Sequence, residues 1–283
     1  MGKQRKALQD LTLLDRFLFA ELMEDPENSR QVLEIILGHE IQIADQNETE
    51  KEIRKAPWAK SIRLDVYTVD EEGTVYNSEM QKKWRNDLEK RSRYYQGLMD
   101  SVLLKVGTPD YKQLNDTYII MIMPFDLYGE GKYQYTIRAS CVEDPAIPVH
   151  DGATRIFLNT KGRNQEEVSP ELIEFLNYVE KTNQLQEEAF ESAKVRNLQR
   201  AVKQIKSNEQ IGVKYMQEWE ERLEEYEEAL AKGRTEGRES GREQAYTEQI
   251  LKKQVKGKSI SQIAEELELT EEEVQRLLDK LSE

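Results

Sequence analysis

The sequence predicts an α/β fold, a sheet flanked by helices, followed by a charged α-helical C-terminal region. Three observations predict it. Stretches rich in β-formers alternate with stretches of helical periodicity over the first 180 or so residues. Most of the aromatic residues and every proline lie in that same part. From Ser169-Pro170 onward the character changes to densely charged, helix-forming sequence. Composition agrees: 37% hydrophobic against 34% charged residues is too polar for one compact globule of 283 residues and calls for an elongated helical portion. We therefore expect three parts, a core domain over residues 1–180, a charged helical region over 181–247 and a small helical unit over 248–283.

The elements follow in order. LDRFLFAELMED places Leu14, Phe17, Leu18, Glu21 and Leu22 at helical spacing. Pro26 follows, and SRQVLEIIL makes a second amphipathic helix that stops at Gly38. EIQIAD is expected as a first strand. SIRLDVYTVD and TVYNSEMQ alternate as strands, joined by Glu71-Glu72-Gly73, a three-residue hairpin loop with Gly at the left-handed position. Residues 83–105 are expected to be helical, ending near Gly107 and Pro109. DTYIIMIMPF reads as a strand buried on both faces. KYQYTIRASCV and ATRIFLNT are further strands. Ser169 caps a helix over ELIEFLNYVEK, with Pro170 at its first position.

In the charged region, oppositely charged residues three or four apart support a solvated helix. Gly233, Gly237 and Gly241 recur every four residues along one face. That pattern reads either as an exposed, weakened helix or as a close helix–helix contact in a dimer, and the charged residues between the glycines favour the first. At the end, ILKKQVKG is a helix stopped by Gly257. Ser259 to Gln262 and Thr270 to Glu273 are capping boxes opening two more, in a phasing like that of a helix-turn-helix module. The last helix begins with Glu271-Glu272-Glu273, which repels phosphate, so a structural or protein-contact role is favoured for this unit over DNA reading.

The bulk properties exclude several function classes. Cys141 is the sole cysteine, so an internal disulfide is excluded and a reducing, cytoplasmic setting is expected. No signal-peptide core and no membrane-spanning run is visible. No Gly-rich phosphate loop, CxxC pair or GxSxG elbow occurs, which removes nucleotide-hydrolase, zinc and serine-hydrolase chemistry. His39 and His150 lack partners at metal-ligand spacing. The net charge of −14 disfavours long-range attraction of a polyanion unless a local basic face exists.

The hairpin carries the functional signal. With Glu71 to Gly73 in the loop, Asp70 pairs with Thr74, Tyr67 faces Asn77, and Asp65 faces Glu79. Opposed residues have Cβ atoms about 4.5–5.5 Å apart and point to one face, which Gln81 joins by period-two alternation. Like charges so placed are mutually destabilising. A divalent cation would give them a purpose, because Mg²⁺ is commonly held by one or two carboxylates. The competing reading is a wet sheet edge on which the two side chains splay apart.

The pattern resembles the PD-(D/E)XK nuclease superfamily, and within it the recombination-promoting nuclease/transposase family of bacterial proteins. The resemblance rests on LLDRFLFAELMEDP near the start, RLDVY around Asp65, EMQ at Glu79 to Gln81 and RSRYYQGLMD at Arg91 to Asp100. It spans roughly residues 10–160, and the charged tail with periodic glycines is similar to tails in that family. The resemblance implies a restriction-endonuclease-like mixed sheet flanked by helices. It implies Mg²⁺- or Mn²⁺-dependent cleavage of DNA, with Asp65 and Glu79 as metal ligands and Gln81 as the third catalytic residue. Gln81 stands where the superfamily motif has Lys, so it can orient water or a phosphate oxygen but supplies no charge. A carboxylate from the N-terminal helix often completes such sites, and Asp15 and Glu21 are the candidates. The basic stretch after EMQ points to DNA contact through Lys83, Arg93 and Tyr94, against the alternative of an ordinary charged helix. The implied partners are DNA and a second copy of the chain in a homo-oligomer, with no membrane and no nucleotide cofactor. The alternative reading is a catalytically weak or inactive nuclease fold serving as a regulatory or partner-binding module.

Overall fold

The computed structural model describes residues 5–53, 62–104 and 110–280. Two compact units are present, Met1–Tyr215 and Met216–Glu283. The first is an α/β restriction-endonuclease-like domain. Among the described residues, six strands form one mixed sheet in the order β1-β2-β3-β4-β6-β5. These are β1 (Ile43–Ile53), β2 (Ile62–Asp70), β3 (Val75–Met80), β4 (Thr117–Met123), β5 (Gln134–Ile137) and β6 (Ala153–Asn159). β1, β2 and β3 are antiparallel neighbours, β3, β4 and β6 are parallel, and β5 closes the far edge antiparallel to β6.

Helices cover both faces. α1 (Arg16–Met23), α2 (Pro26–Leu37), α4 (Pro170–Glu180) and α5 (Ala193–Ser207) enclose one core with Val66, Tyr76, Met80, Ile120, Ile122, Ile156 and Leu158 of the sheet. α3 (Leu88–Leu103) lies on the other face, where Leu88, Tyr95, Leu98 and Met99 pack with Tyr67, Val75, Ile119, Met121 and Phe157. A strand between two cores must be apolar on both sides, and β4 is, with Ile119 to Met123 all buried.

Local chemistry explains most boundaries. Asp15 caps α1, its carboxylate accepting from Phe17 N at 3.1 Å. Asp25 caps α2, whose first residue is Pro26, so that helix starts three residues before SRQVLEIIL, and it ends at Gly38 with φ +76°. Ser169 caps α4 as expected, accepting from Leu172 N. α5 presents Val195, Leu198 and Val202 to the core, and buried Glu34 of α2 binds Lys194 at its start (3.0 Å).

Three expectations for this unit need correction. The helix expected over 83–105 begins only at Leu88, because Asn86 and Asp87 favour a turn and Asp87 occupies the cap position. It ends at Leu103, and the expected stop at Gly107 and Pro109 lies outside the described residues. The strand expected over KYQYTIRASCV shrinks to Gln134–Ile137, since its partner β6 starts at Ala153, two residues beyond the last pair, Ile137 with Arg155. The first strand starts inside EIQIAD but runs on to Ile53 through QNETEKE, where an edge position lets polar residues replace the alternation.

The second unit carries most of the charged helix α6 (Glu209–Val255), then α7 (Ile260–Leu267) and α8 (Glu271–Asp279). ILKKQVKG is the last turns of α6 rather than a separate helix, and Gly257 ends the run at φ +78°. Both capping boxes are formed, at Ser259 with Gln262 and at Thr270 with Glu273. Ile250, Ile263, Ala264, Val274 and Leu277 make this unit's small core. Among the described residues no helix is long and apolar enough to cross a membrane.

The β2–β3 hairpin has the register read from its loop: Val69 pairs with Val75, Thr68 with Tyr76, Tyr67 with Asn77 and Val66 with Ser78. Gly73 takes φ +87°, its N–H donates to Asp70 O (3.0 Å), and Thr74 N donates to the Asp70 carboxylate (2.7 Å). Asn115 donates to Gly73 O at 2.6 Å, and a Cβ on Gly73 would meet that amide at 3.2 Å. Gly73→Ala is therefore expected to destabilise the domain by about 1–2 kcal/mol through left-handed backbone strain. Urea denaturation of the two proteins measures this.

Candidate active site

Main-chain pairing between β2 and β3 stops at Val66 and Ser78, one residue short of Asp65 and Glu79. There the two carboxylates take over the strand's unpaired amides. Asp65 N donates to Glu79 Oε1 (3.2 Å), and Met80 N donates to Asp65 Oδ2 (3.2 Å). β3 meanwhile stays joined to β4, with Glu79 beside Met121 and Gln81 N donating to Ile122 O at 2.9 Å. The hairpin thus brings Asp65 and Glu79 together at the end of β3, both only 3% exposed.

Two buried like charges need compensation, and two arginines supply it. Arg16, the first residue of α1, sets Nε 2.5 Å from Asp65 Oδ1. Arg91, in the first turns of α3, sets one terminal nitrogen 3.2 Å from Glu79 Oε2 and the other 3.0 Å from Gln81 Oε1, while its Nε donates to Tyr95 Oη at 2.7 Å. Buried Asn77 donates to Glu79 Oε1 at 3.3 Å. Burial pushes the Glu79 carboxyl well above its usual range and Asp65 adds to the rise, while Arg91, the Asp65 amide and Arg16 oppose it.

Other residues singled out in the sequence lie as follows. Gln81 is half-buried at the mouth, where its Nε2 donates to Lys83 O. Lys83 is exposed in the loop between β3 and α3, not on the helix. Arg93 and Tyr94 are exposed on α3, and Tyr95 is core. Asp15 is engaged as the cap of α1, and buried Glu21 is ion-paired with Lys214 at 2.5 Å. Among the described residues no group of three or more His, Cys, Asp or Glu is placed to hold a metal. Arg16 escaped the sequence reading, although it adjoins Asp15 in the DRF segment that the resemblance covers. Asn77 was placed opposite Tyr67 but given no role.

The donor chemistry fits a hard divalent cation. Asp65 and Glu79 offer carboxylate oxygens and Gln81 an amide oxygen, the oxygen set that Mg²⁺ and Mn²⁺ take, with water completing the shell. The raised Glu79 carboxyl is a second sign of fit, since added positive charge would relieve it.

The profile of the family described as PD-(D/E)XK nuclease family transposase matches residues 16–232. No curated protein and no solved structure matches the chain.

Two predictions follow from the geometry. Arg16→Gln strips Asp65 of its counter-ion; with Arg16 about a third exposed, we expect a loss of about 1–3 kcal/mol in metal-free protein, partly recovered by adding Asp65→Asn. A denaturation double-mutant cycle reads this coupling. For Glu79, a folded-state pKa above the unfolded value favours folding below the ordinary carboxylate range and opposes it as pH rises through the folded pKa. Metal-free protein should therefore lose stability with rising pH more steeply than Glu79→Gln does, as melting temperature across a pH series will show.

Proposed function

Because the chain belongs to the PD-(D/E)XK nuclease family transposases, we propose that it is a Mg²⁺- or Mn²⁺-dependent DNA endonuclease that hydrolyses phosphodiester bonds in recombination or mobile-element processing. The observation that carries this reading is the buried, opposed pair Asp65 and Glu79 at the end of β3, adjoined by Gln81. Burying two like charges on neighbouring strands costs stability, and a fold keeps such an arrangement for a ligand or for chemistry.

Asp65 and Glu79 would hold the metal, with the Gln81 amide oxygen beside them. A divalent cation held there would supply acidified water as nucleophile and charge withdrawal from the phosphodiester. Gln81 orients that water or a phosphate oxygen by hydrogen bonding, the role open to a neutral amide in the position of the motif Lys. Asn77 donates to the Glu79 carboxylate, and Arg91 bridges Glu79 and Gln81. Lys83, exposed in the loop after Gln81, and Arg93 and Tyr94, exposed on α3, would contact DNA backbone and bases, local positive charge on a chain that is acidic overall. Asp15 and Glu21 would join the metal only by leaving the Phe17 amide or Lys214. A homo-oligomer would present two such sites to the two strands of a duplex. A cytoplasmic location belongs to the same reading.

One observation favours the alternative, a weak or inactive nuclease fold acting as a regulatory module. The guanidiniums of Arg16 and Arg91 already neutralise both carboxylates, as a metal would. Cleavage of supercoiled plasmid with Mg²⁺ or Mn²⁺ separates the two readings. We expect cleavage by the wild type, with Asp65→Ala and Glu79→Ala each at least about 100-fold slower, since even residues behind a metal ligand cost 10–100-fold. Arg93→Ala should weaken DNA binding and reduce its salt slope by about one. Equal cleavage by wild type and Asp65→Ala would remove the site assignment, and no cleavage by wild type under any metal would support the regulatory module.

A further inference from the structure

α6 carries an apolar stripe that is in neither unit's core among the described residues. Met216, Trp219, Leu223, Tyr226 and Leu230 follow one another at alternating spacings of three and four, the repeat that keeps a seam along one side of a coiled coil. Met216 is 42% and Leu230 40% exposed, and Trp219 and Leu223 are half-buried. None of these four belongs to the apolar clusters of either unit among the described residues. Single exposed apolar residues are ordinary; a stripe over two heptads of an otherwise charged helix marks a contact surface.

The same spacing continues past Leu230 as Gly233, Gly237 and Ser240. The seam therefore has a bulky half followed by a small half. Charge divides at the same place. Residues 217–228 hold seven Glu and one Arg, whereas residues 231–242 hold one Lys and three Arg against two Glu. Two copies laid parallel would put the acidic halves together and leave the bulky residues facing their own kind. Two copies laid antiparallel put acid against base and large against small.

We propose that α6 is a self-complementary docking surface for a second copy of this chain, packed antiparallel. Leu223 of one copy fills the space over Gly233 of the other, Trp219 that over Gly237, and Tyr226 meets Leu230 near the twofold axis. Glu220 lies beside Arg234 of the second copy. The glycines let the backbones approach under the large side chains, which accounts for residues that otherwise only weaken a helix. This specifies the contact behind the homo-oligomer suggested above, and it holds whether or not the carboxylate pair cuts DNA, because the seam makes no use of that site.

Full-length protein with Cys141→Ser as background tests it. Leu223→Cys and Gly233→Cys chains are prepared separately, then mixed and mildly oxidised without DNA. The expected result is a disulfide dimer in the mixture and little in either chain alone, because each residue is about 15 Å from its own copy in this packing, ten residues at 1.5 Å each. Cross-linking of each chain with itself would overturn the antiparallel arrangement. In sedimentation, wild type should be dimeric at micromolar concentration. Leu223→Glu with Leu230→Glu should be monomeric with unchanged plasmid cleavage per site. Gly233→Leu with Gly237→Leu should also be monomeric while circular dichroism shows equal or greater helix content. A wild-type monomer, or a glycine-substituted protein that stays dimeric, would overturn the proposal; a solvated single helix predicts the former.

Discussion

Two carboxylates on neighbouring strands, out of water and facing each other, are the constraint around which the first unit is built. Their placement is decided at the other end of the hairpin, where Gly73 at φ +87° closes a three-residue loop and Asp70 fastens Thr74. Each residue from Val69 back to Val66 then finds its partner, and the next two to meet are Asp65 and Glu79. A slip of one residue would send the pair to opposite faces. The parallel bond to β4 holds β3 in place as the hairpin opens, since Gln81 N still finds Ile122 O after pairing with β2 has ended. Opening the hairpin while anchoring one of its strands leaves the amides of Asp65 and Met80 to the two carboxylates.

Compensation for that acid arrives from both layers of the fold. Arg16 comes from α1, in the layer with α2, α4 and α5, and Arg91 comes from α3 on the opposite face. The placement of α1 thus bears on the site. It is held by its Asp15 cap, by the tilted ring contact of Phe17 with Tyr215 (5.0 Å between centroids) and by Lys214 bridging Glu21 and Glu24. The charged sequence after residue 180 therefore takes part in the nuclease-like unit as far as Tyr215. Arg91 does more than neutralise: it bridges Glu79, Gln81 and the Tyr95 hydroxyl, coupling the pocket to the α3 core.

Much of this was legible in the sequence, for identifiable reasons. The hairpin register could be read because a short loop with one obligatory glycine leaves little freedom, and β4 because a strand inside two cores must be apolar throughout. The site's acidic half followed from that register. Its basic half did not, because Arg16 lies 49 positions before Asp65 and only the packing of α1 brings them together. Arg91 was visible as part of a basic stretch, yet helical spacing alone could not separate it from Lys90 or Arg93. The start of α3 lies later than the sequence suggests because Lys82, Lys83 and Arg85 suit a helix as well as a loop, and the Asn86-Asp87 turn outweighs them. β1 was under-read for a related reason: an edge strand with polar side chains carries no alternation to detect.

Central to the proposed function is a divalent cation held between Asp65 and Glu79. Crystals grown with Mn²⁺, examined by anomalous scattering, test this most directly. The expected result is a peak between the two carboxylates, within about 2.0–2.6 Å of an oxygen of each, with Arg16 or Arg91 drawn away from its carboxylate. An empty pocket with both arginines still in contact, at Mn²⁺ concentrations that saturate other carboxylate sites, would contradict it.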